Sequence, residues 1–129
     1  MENESLPSRA YDAGDVIYSY SDKGTDVFLI HTGKISIVSK HGLTLGEIGE
    51  GEIFGEVNLI IASLHSVTAI AKEATIIKVI PRALIVDKIE QADPVVRGFM
   101  RSLGIRLRDS NELAEKFWNE LNLYKSLED

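Results

Sequence analysis

The chain contains no cysteine, which removes disulfides and thiolate metal sites and fits a reducing compartment. No apolar run approaches the roughly 18 residues that a helical membrane span requires. The opening residues, Met1-Glu2-Asn3-Glu4-Ser5, are acidic and carry no apolar stretch of the kind a secretory signal needs. Basic charge is also scarce: 14 Lys and Arg against 20 Asp and Glu give a net charge of −6, with no broad footprint for nucleic acid. His31, His41 and His65 stand apart in the sequence, without the imidazole and carboxylate spacing of a β-barrel metalloenzyme, and no Gly-x-Ser-x-Gly elbow occurs. The expectation is a cytoplasmic, non-membrane protein with no catalytic residue, no metal and no cofactor. A length of 129 residues suits one domain with a single core.

What is present changes character near Pro81. From Tyr11 to Ile80 the chain is broken into short β-branched runs: Val16 to Tyr18, Val27 to Ile30, Ile35 to Val38, Val67 to Ile70 and Ile76 to Ile80. Turn residues fall between them at Gly14, Gly24, Gly33, Gly42 and Gly49-Glu50-Gly51. Short strands at such spacing predict a β-sandwich or barrel. Ile35 and Ile37 alternate with serine, the pattern of a strand with one wet face. Beyond Pro81 the rhythm stops. Proline suits the first turn of a helix, so a short helix is predicted over Arg82 to Glu90. Asp93-Pro94 is a second helix start, with Asp93 as N-cap, for a helix running to about Tyr124. Gly98 and Gly104 each weaken that helix by roughly 1 kcal/mol relative to alanine, so packing must support it.

The most informative stretch runs from Gly51 through Phe54-Gly55-Glu56-Val57-Asn58 to His65-Ser66-Val67. It describes a strand ending in glycine, then a carboxylate, then one to two helical turns. A glycine before a helix start lets backbone approach a ligand closely. The first-turn amides of Val57 and Asn58 then favour an anion, and the Glu56 carboxylate can accept a hydrogen bond from a sugar hydroxyl. The plain alternative is a strand-to-helix corner in which Glu56 merely caps the helix.

This stretch resembles the phosphate-binding cassette of cyclic-nucleotide-binding domains of the catabolite-activator and protein-kinase-A regulatory type, where a Phe-Gly-Glu triplet opens a short helix. Ala13 to Ile17, Val27 to Lys34 and Ala69 to Pro81 resemble that family's other strands and its hinge. The resemblance implies an eight-stranded antiparallel β-roll, jelly-roll-like, followed by a short helix and a long C-terminal helix. It implies a tail at 1–10, a roll at 11–80 with the cassette at 51–69, and helices at 81–129 with a dimerisation helix at about 94–124. Gly55, Glu56, Val57 and Asn58 would serve ribose and phosphate, and His65 and Ser66 the phosphate. Ser110 and Asn111 would meet the base. The chain departs from the family at His65, where an arginine normally grips the phosphate with a bidentate fork. A weakened cyclic-nucleotide site, a pocket for another small ligand, and a relic therefore all stay open.

Val96, Met100, Leu103, Leu107, Ser110, Ala114, Phe117, Leu121 and Tyr124 step by four and three along the C-terminal segment. That heptad seam predicts a parallel homodimer, with Phe99, Leu113 and Trp118 flanking it and available to the roll. The family's transcription factors carry a helix-turn-helix beyond this helix, for which no residues remain here, so direct DNA binding is not expected. The functional expectation is a non-catalytic effector-sensing module that takes cAMP, cGMP or a related small ligand. The alternatives are an interaction module for a partner protein that has lost the nucleotide, or the sensor part of a transcription regulator.

Overall fold

A computed structural model describes residues 6–128. Eight strands are followed by two helices, with a single helical turn between β6 and β7. The strands are β1 (Ser8–Tyr11), β2 (Val16–Tyr18), β3 (Asp26–Thr32), β4 (Ile35–Val38), β5 (Thr44–Ile48), β6 (Ile53–Phe54), β7 (Thr68–Ala71) and β8 (Thr75–Pro81). The helices are α1 (Val57–Ile60), α2 (Arg82–Gln91) and α3 (Pro94–Glu128). Two four-stranded antiparallel sheets form, in the orders β1-β8-β3-β6 and β2-β7-β4-β5. This is the eight-stranded roll with a short and a long C-terminal helix that the sequence predicted. Its first strand pairs Ser8 with Lys78 and Tyr11 with Thr75. The roll therefore begins at Ser8, inside the segment 1–10 expected to be a tail.

The side-chain period of a strand explains how β3 and β8 hold the molecule together. Phe28 pairs with Val79 and Ile30 with Ile77, and all four face the core between the sheets. Their neighbours Val27 and Ile80, also paired, point the opposite way and join Leu6 in a second cluster, against which Leu84 and Ile85 of α2 pack. Both faces of these central strands are covered, which is why their sequences read as nearly continuous apolar runs. Each such side chain, fully buried, contributes roughly 1.5–3 kcal/mol. Pro81 closes β8, and α2 starts one residue later at Arg82. Asp93 caps α3 as expected, its Oδ1 accepting the Val95 amide at 2.8 Å.

The long helix meets the roll through a narrow stripe. Gly104 is buried and lies against α1: a Cβ built there would sit 3.0 Å from Cγ2 of Ile61 and 3.6 Å from Cγ2 of Ile60. At Gly98 a Cβ would meet nothing within 4 Å. Packing therefore accounts for one helix glycine and not the other. A second attachment lies three turns further on, where the His41 amide donates to Glu115 Oε1 at 2.5 Å and His41 Nδ1 lies 3.1 Å from the same oxygen. Phe99 and Leu113, expected to be available to the roll, are exposed instead, while Trp118 is half-buried.

Candidate functional site

An open cleft of about 250 Å³ lies between the roll and α3. One wall is built on an aromatic core. Tyr18 of β2 stacks on Phe28 and Phe54 with ring centroids 6.2 and 6.1 Å apart, and Phe28 and Phe54 are 5.2 Å apart. Such pairs add about 0.5–1.5 kcal/mol beyond the area they bury. Behind Phe54 the backbone turns sharply at Gly55, whose φ of +82° falls in the left-handed region. A Cβ there would stand 3.2 Å from Cδ2 of Phe28, so conformation and space both call for glycine. The turn delivers Glu56 to the head of α1.

Glu56 makes no side-chain cap to that helix. The plain reading of it as a capping carboxylate is therefore overturned. Glu56 lines the cleft, and burial pushes its carboxyl pKa above the usual carboxylate range. Burial, with Glu56 nearby adding to it, pushes the Tyr18 hydroxyl up as well. Val57, Asn58 and Ser66 also line the cleft, so the expected cassette residues come together in one place.

His65 reaches the cleft wall but in an unexpected setting. Its ring lies flat on Tyr18, with centroids 3.7 Å apart and planes 12° from parallel, and the residue is only 6% exposed. Burial pushes its pKa down, and Asp22 opposes this only in part. Burial thus disfavours the charged form of the imidazole within the aromatic stack.

The opposite wall is α3, represented by Leu107, Arg108 and Asn111. Asn111 faces the cleft as expected, whereas Ser110 is exposed and lies outside the cleft of its own chain. Arg108 was not singled out from the sequence, and among the described residues it is the one Lys or Arg lining the cleft. Its side chain is partly buried, and its nearest ionic partner is the adjacent Asp109 at 3.3 Å. Tyr18 and Glu47 are likewise additions. Glu47 is exposed and bonded to Lys72, which holds its carboxyl below the usual range. A helical period run back from Asn111 passes through Arg108 to Gly104, but an inward stripe of glycine, arginine and asparagine carries no apolar signal.

The geometry is a carboxylate and a glycine turn on one side, a guanidinium and an amide on the other, and mostly apolar walls between. Residues 8–92 match the family profile described as cyclic nucleotide-binding domain. The chain is 29% identical over 107 residues to the cyclic AMP receptor protein of Thermus thermophilus, covering 80% of this chain and 50% of that one. Over 56 residues it is 34% identical to a cyclic nucleotide-gated cation channel of Drosophila melanogaster, covering 43% of this chain and 8% of the channel. Its fold superposes on the cAMP-bound form of the EAL enzyme Bd1971 with a TM-score of 0.76 at 28% identity, over 95% of this chain and 34% of that one. The chain thus spans at most half the length of these relatives. With more than half of its residues inside the family match, and with the roll and cassette in place, the chain belongs to the cyclic nucleotide-binding domain family.

Proposed function

We propose that this chain is a non-catalytic, cytoplasmic effector-sensing module whose cleft takes a cyclic nucleotide or a closely related small ligand. The observation that carries this is the convergence of Gly55, Glu56 and Ser66 from the roll with Arg108 and Asn111 from α3 on one cleft. Glu56 accepts a hydrogen bond from a ribose hydroxyl. The amides of Val57 and Asn58, with Ser66, receive the phosphate. Arg108 supplies from the helix the positive charge that the cassette lacks at His65, and Asn111 with Leu107 meets the base. A ligand bridging the two walls favours one seating of α3 over others, and so acts as an effector.

The same helix is the output. Leu103 and Phe117 are 63% and 58% exposed, and Leu121 lies on the same seam. A parallel homodimer through Val96, Met100, Leu103, Leu107, Ala114, Phe117 and Leu121 buries them and brings Ser110 toward the partner. Leu121→Glu, remote from the cleft, should leave monomers by light scattering. A wild type already monomeric at tens of micromolar removes the dimer from this reading.

Calorimetry with cAMP and cGMP tests the binding function. Wild type should bind saturably, and Glu56→Gln should lower affinity roughly 10- to 150-fold, the equivalent of the 1.5–3 kcal/mol carried by a hydrogen bond to a charged group. If neither nucleotide binds at millimolar concentration, the second reading takes over: an interaction module that keeps the family's shape without its ligand. The burial of His65 flat against Tyr18 is the observation that favours it.

A further inference from the structure

A second cleft, of about 360 Å³, opens on the other side of α1. It lies between the β2–β3 loop, which brings Lys23 and Gly24, the segment Ala62–Leu64 after α1, and Arg82 at the start of α2. Among the described residues, two cations line it and no carboxylate does. The acids of the neighbouring loop are engaged elsewhere: Asp22 Oδ2 accepts the Ser19 amide at 2.9 Å, and Asp26 lies 3.9 Å from Arg9. Arg82 Nη1 reaches the Gly24 carbonyl at 3.4 Å, which ties α2 to the loop. Arg82 is also the first residue of a ten-residue helix with no side-chain cap and no acid in its first turn, so the helix dipole adds positive potential at this border.

The observation that makes this a site is Asn58. It is 4% exposed, and neither its Nδ2 nor its Oδ1 has a hydrogen-bond partner among the described residues. Buried amides are normally paired, because leaving a donor unsatisfied forfeits its hydration. Asn58 stands in the wall that both clefts share. Its carboxamide lies directly on Gly24: a Cβ at that glycine would fall 1.5 Å from Nδ2. The loop therefore packs on a buried, unused donor of α1, and Lys23 and Arg82 line the same cleft. Beside it, the Ser63 hydroxyl donates only to its neighbour's carbonyl, Leu64 O, at 3.1 Å.

We propose that this second cleft binds a phosphate monoester, with Lys23 and Arg82 neutralising the dianion and Asn58 and Ser63 donating to its oxygens. Two full positive charges match a dianion better than a carboxylate. The space exceeds that of one phosphate group and leaves room for an organic substituent. The site is distinct from the nucleotide cleft, since Asn58 is the one residue that lines both.

Amide NMR of the full 129-residue chain, titrated with inorganic phosphate against sodium chloride at matched ionic strength, tests the proposal. Saturable shifts are expected at Gly24, Ser63 and the Asn58 side-chain amide. Lys23→Glu, at an exposed position, should weaken binding about tenfold or more. Arg108→Gln, which removes the cation of the first cleft, should leave these shifts unchanged, which separates this site from the nucleotide reading. Shifts that chloride reproduces, or an affinity indifferent to Lys23→Glu, overturn the proposal. Phosphoserine and glycerol phosphate then separate a phosphorylated protein from a small metabolite as the source, the tighter one marking which. If both bind more weakly than inorganic phosphate, the monoester assignment falls.

Discussion

The two walls of the cleft between the roll and α3 are built on opposite principles. The roll wall is an extension of the core: Phe54, Gly55 and His65 are all buried, and Tyr18, Phe28 and Phe54 fix their positions by mutual stacking. The helical wall is a long, largely exposed helix that touches the roll at Gly104 and at Glu115. A buried wall is pre-organised and costs little to order when a ligand arrives. A helix held at a few points loses few contacts on reseating, which is what the proposed switch needs. On the proposed function, recognition falls to the roll and response to α3, and mutation of either wall can break that assignment.

The largest effect should come from the roll wall. Gly55→Val places a β-branched residue at φ +82° and drives its Cβ toward Phe28. Strained backbone costs of order 1–3 kcal/mol, and the contact with Phe28 adds to it. Thermal unfolding should therefore show a loss of about 2–4 kcal/mol, with nucleotide binding abolished at the same time. A variant that binds normally would mean that the turn at Gly55 is dispensable and that the wall is not rigid.

The helical wall should behave differently. Arg108→Gln removes the cleft's guanidinium from a solvent-facing helix. Its stability should change by no more than about 0.5 kcal/mol, while affinity for cAMP should fall about ten- to a hundredfold. Arg106→Gln, exposed and outside the cleft, is the matched control. Equal losses from both would show that only general charge attraction is involved. An unchanged Arg108→Gln would return the phosphate to the roll and to His65.

The comparison also explains what could be seen in the sequence. The strands β3, β4, β7 and β8 announce themselves because β-branched residues fill the faces they bury. β1, β5 and β6 do not: each lies at the edge of its sheet, one is only two residues long, and the sequence Thr44-Leu45-Gly46-Glu47-Ile48 alternates weakly. That is why a paired strand at Ser8–Tyr11 reads as tail. The Gly55-Glu56 corner was legible because few residue pairs satisfy its conformation and its chemistry together. Arg108 was not, because periodicity arguments follow apolar residues, and on α3 most of the apolar stripe is exposed while only Leu107 of it joins Arg108 and Asn111 at the cleft. The stacking of His65 was equally hidden. It depends on Tyr18, 47 positions away, and no local pattern joins the two.

The two glycines of α3 sharpen the contrast within one helix. Gly98→Ala should stabilise the protein by about 0.8–1 kcal/mol, the propensity difference, since nothing lies near the new methyl. Gly104→Ala gains the same propensity but presses on Ile61, and overpacking costs about 1–3 kcal/mol. Denaturant midpoints should therefore move in opposite directions, or Gly104→Ala should at best be neutral. If Gly104→Ala stabilises as much as Gly98→Ala, α3 is not seated on α1, and the route from cassette to helix is lost.

The smallest effect concerns His65 and acid stability, where the sign follows from burial. The folded state lowers the His65 pKa below its ordinary value near 6.5, so the unfolded chain binds the proton more readily. This group's contribution is fully present above about pH 6.5 and is lost as pH falls through the lowered folded value. Glu56 works the other way. Its folded pKa is raised, so burying its charge costs stability above that raised value, and the cost is relieved as pH falls. Of the groups around the stack, Asp22 only partly counters the shift at His65, and Tyr18, whose hydroxyl burial pushes up, stays protonated across this range. His65→Phe keeps the ring on Tyr18 and removes the titration, so its stability should vary less than that of wild type between pH 6.5 and 5. Adding Glu56→Gln should raise stability near neutrality and flatten the remaining slope. Chemical denaturation of wild type and both variants at the two pH values measures it. A His65→Phe protein that loses stability toward acid as steeply as wild type would show that the imidazole is not held neutral in the stack. His65 would then be free to carry charge toward a bound phosphate, and the division of labour between roll and helix would have to be redrawn.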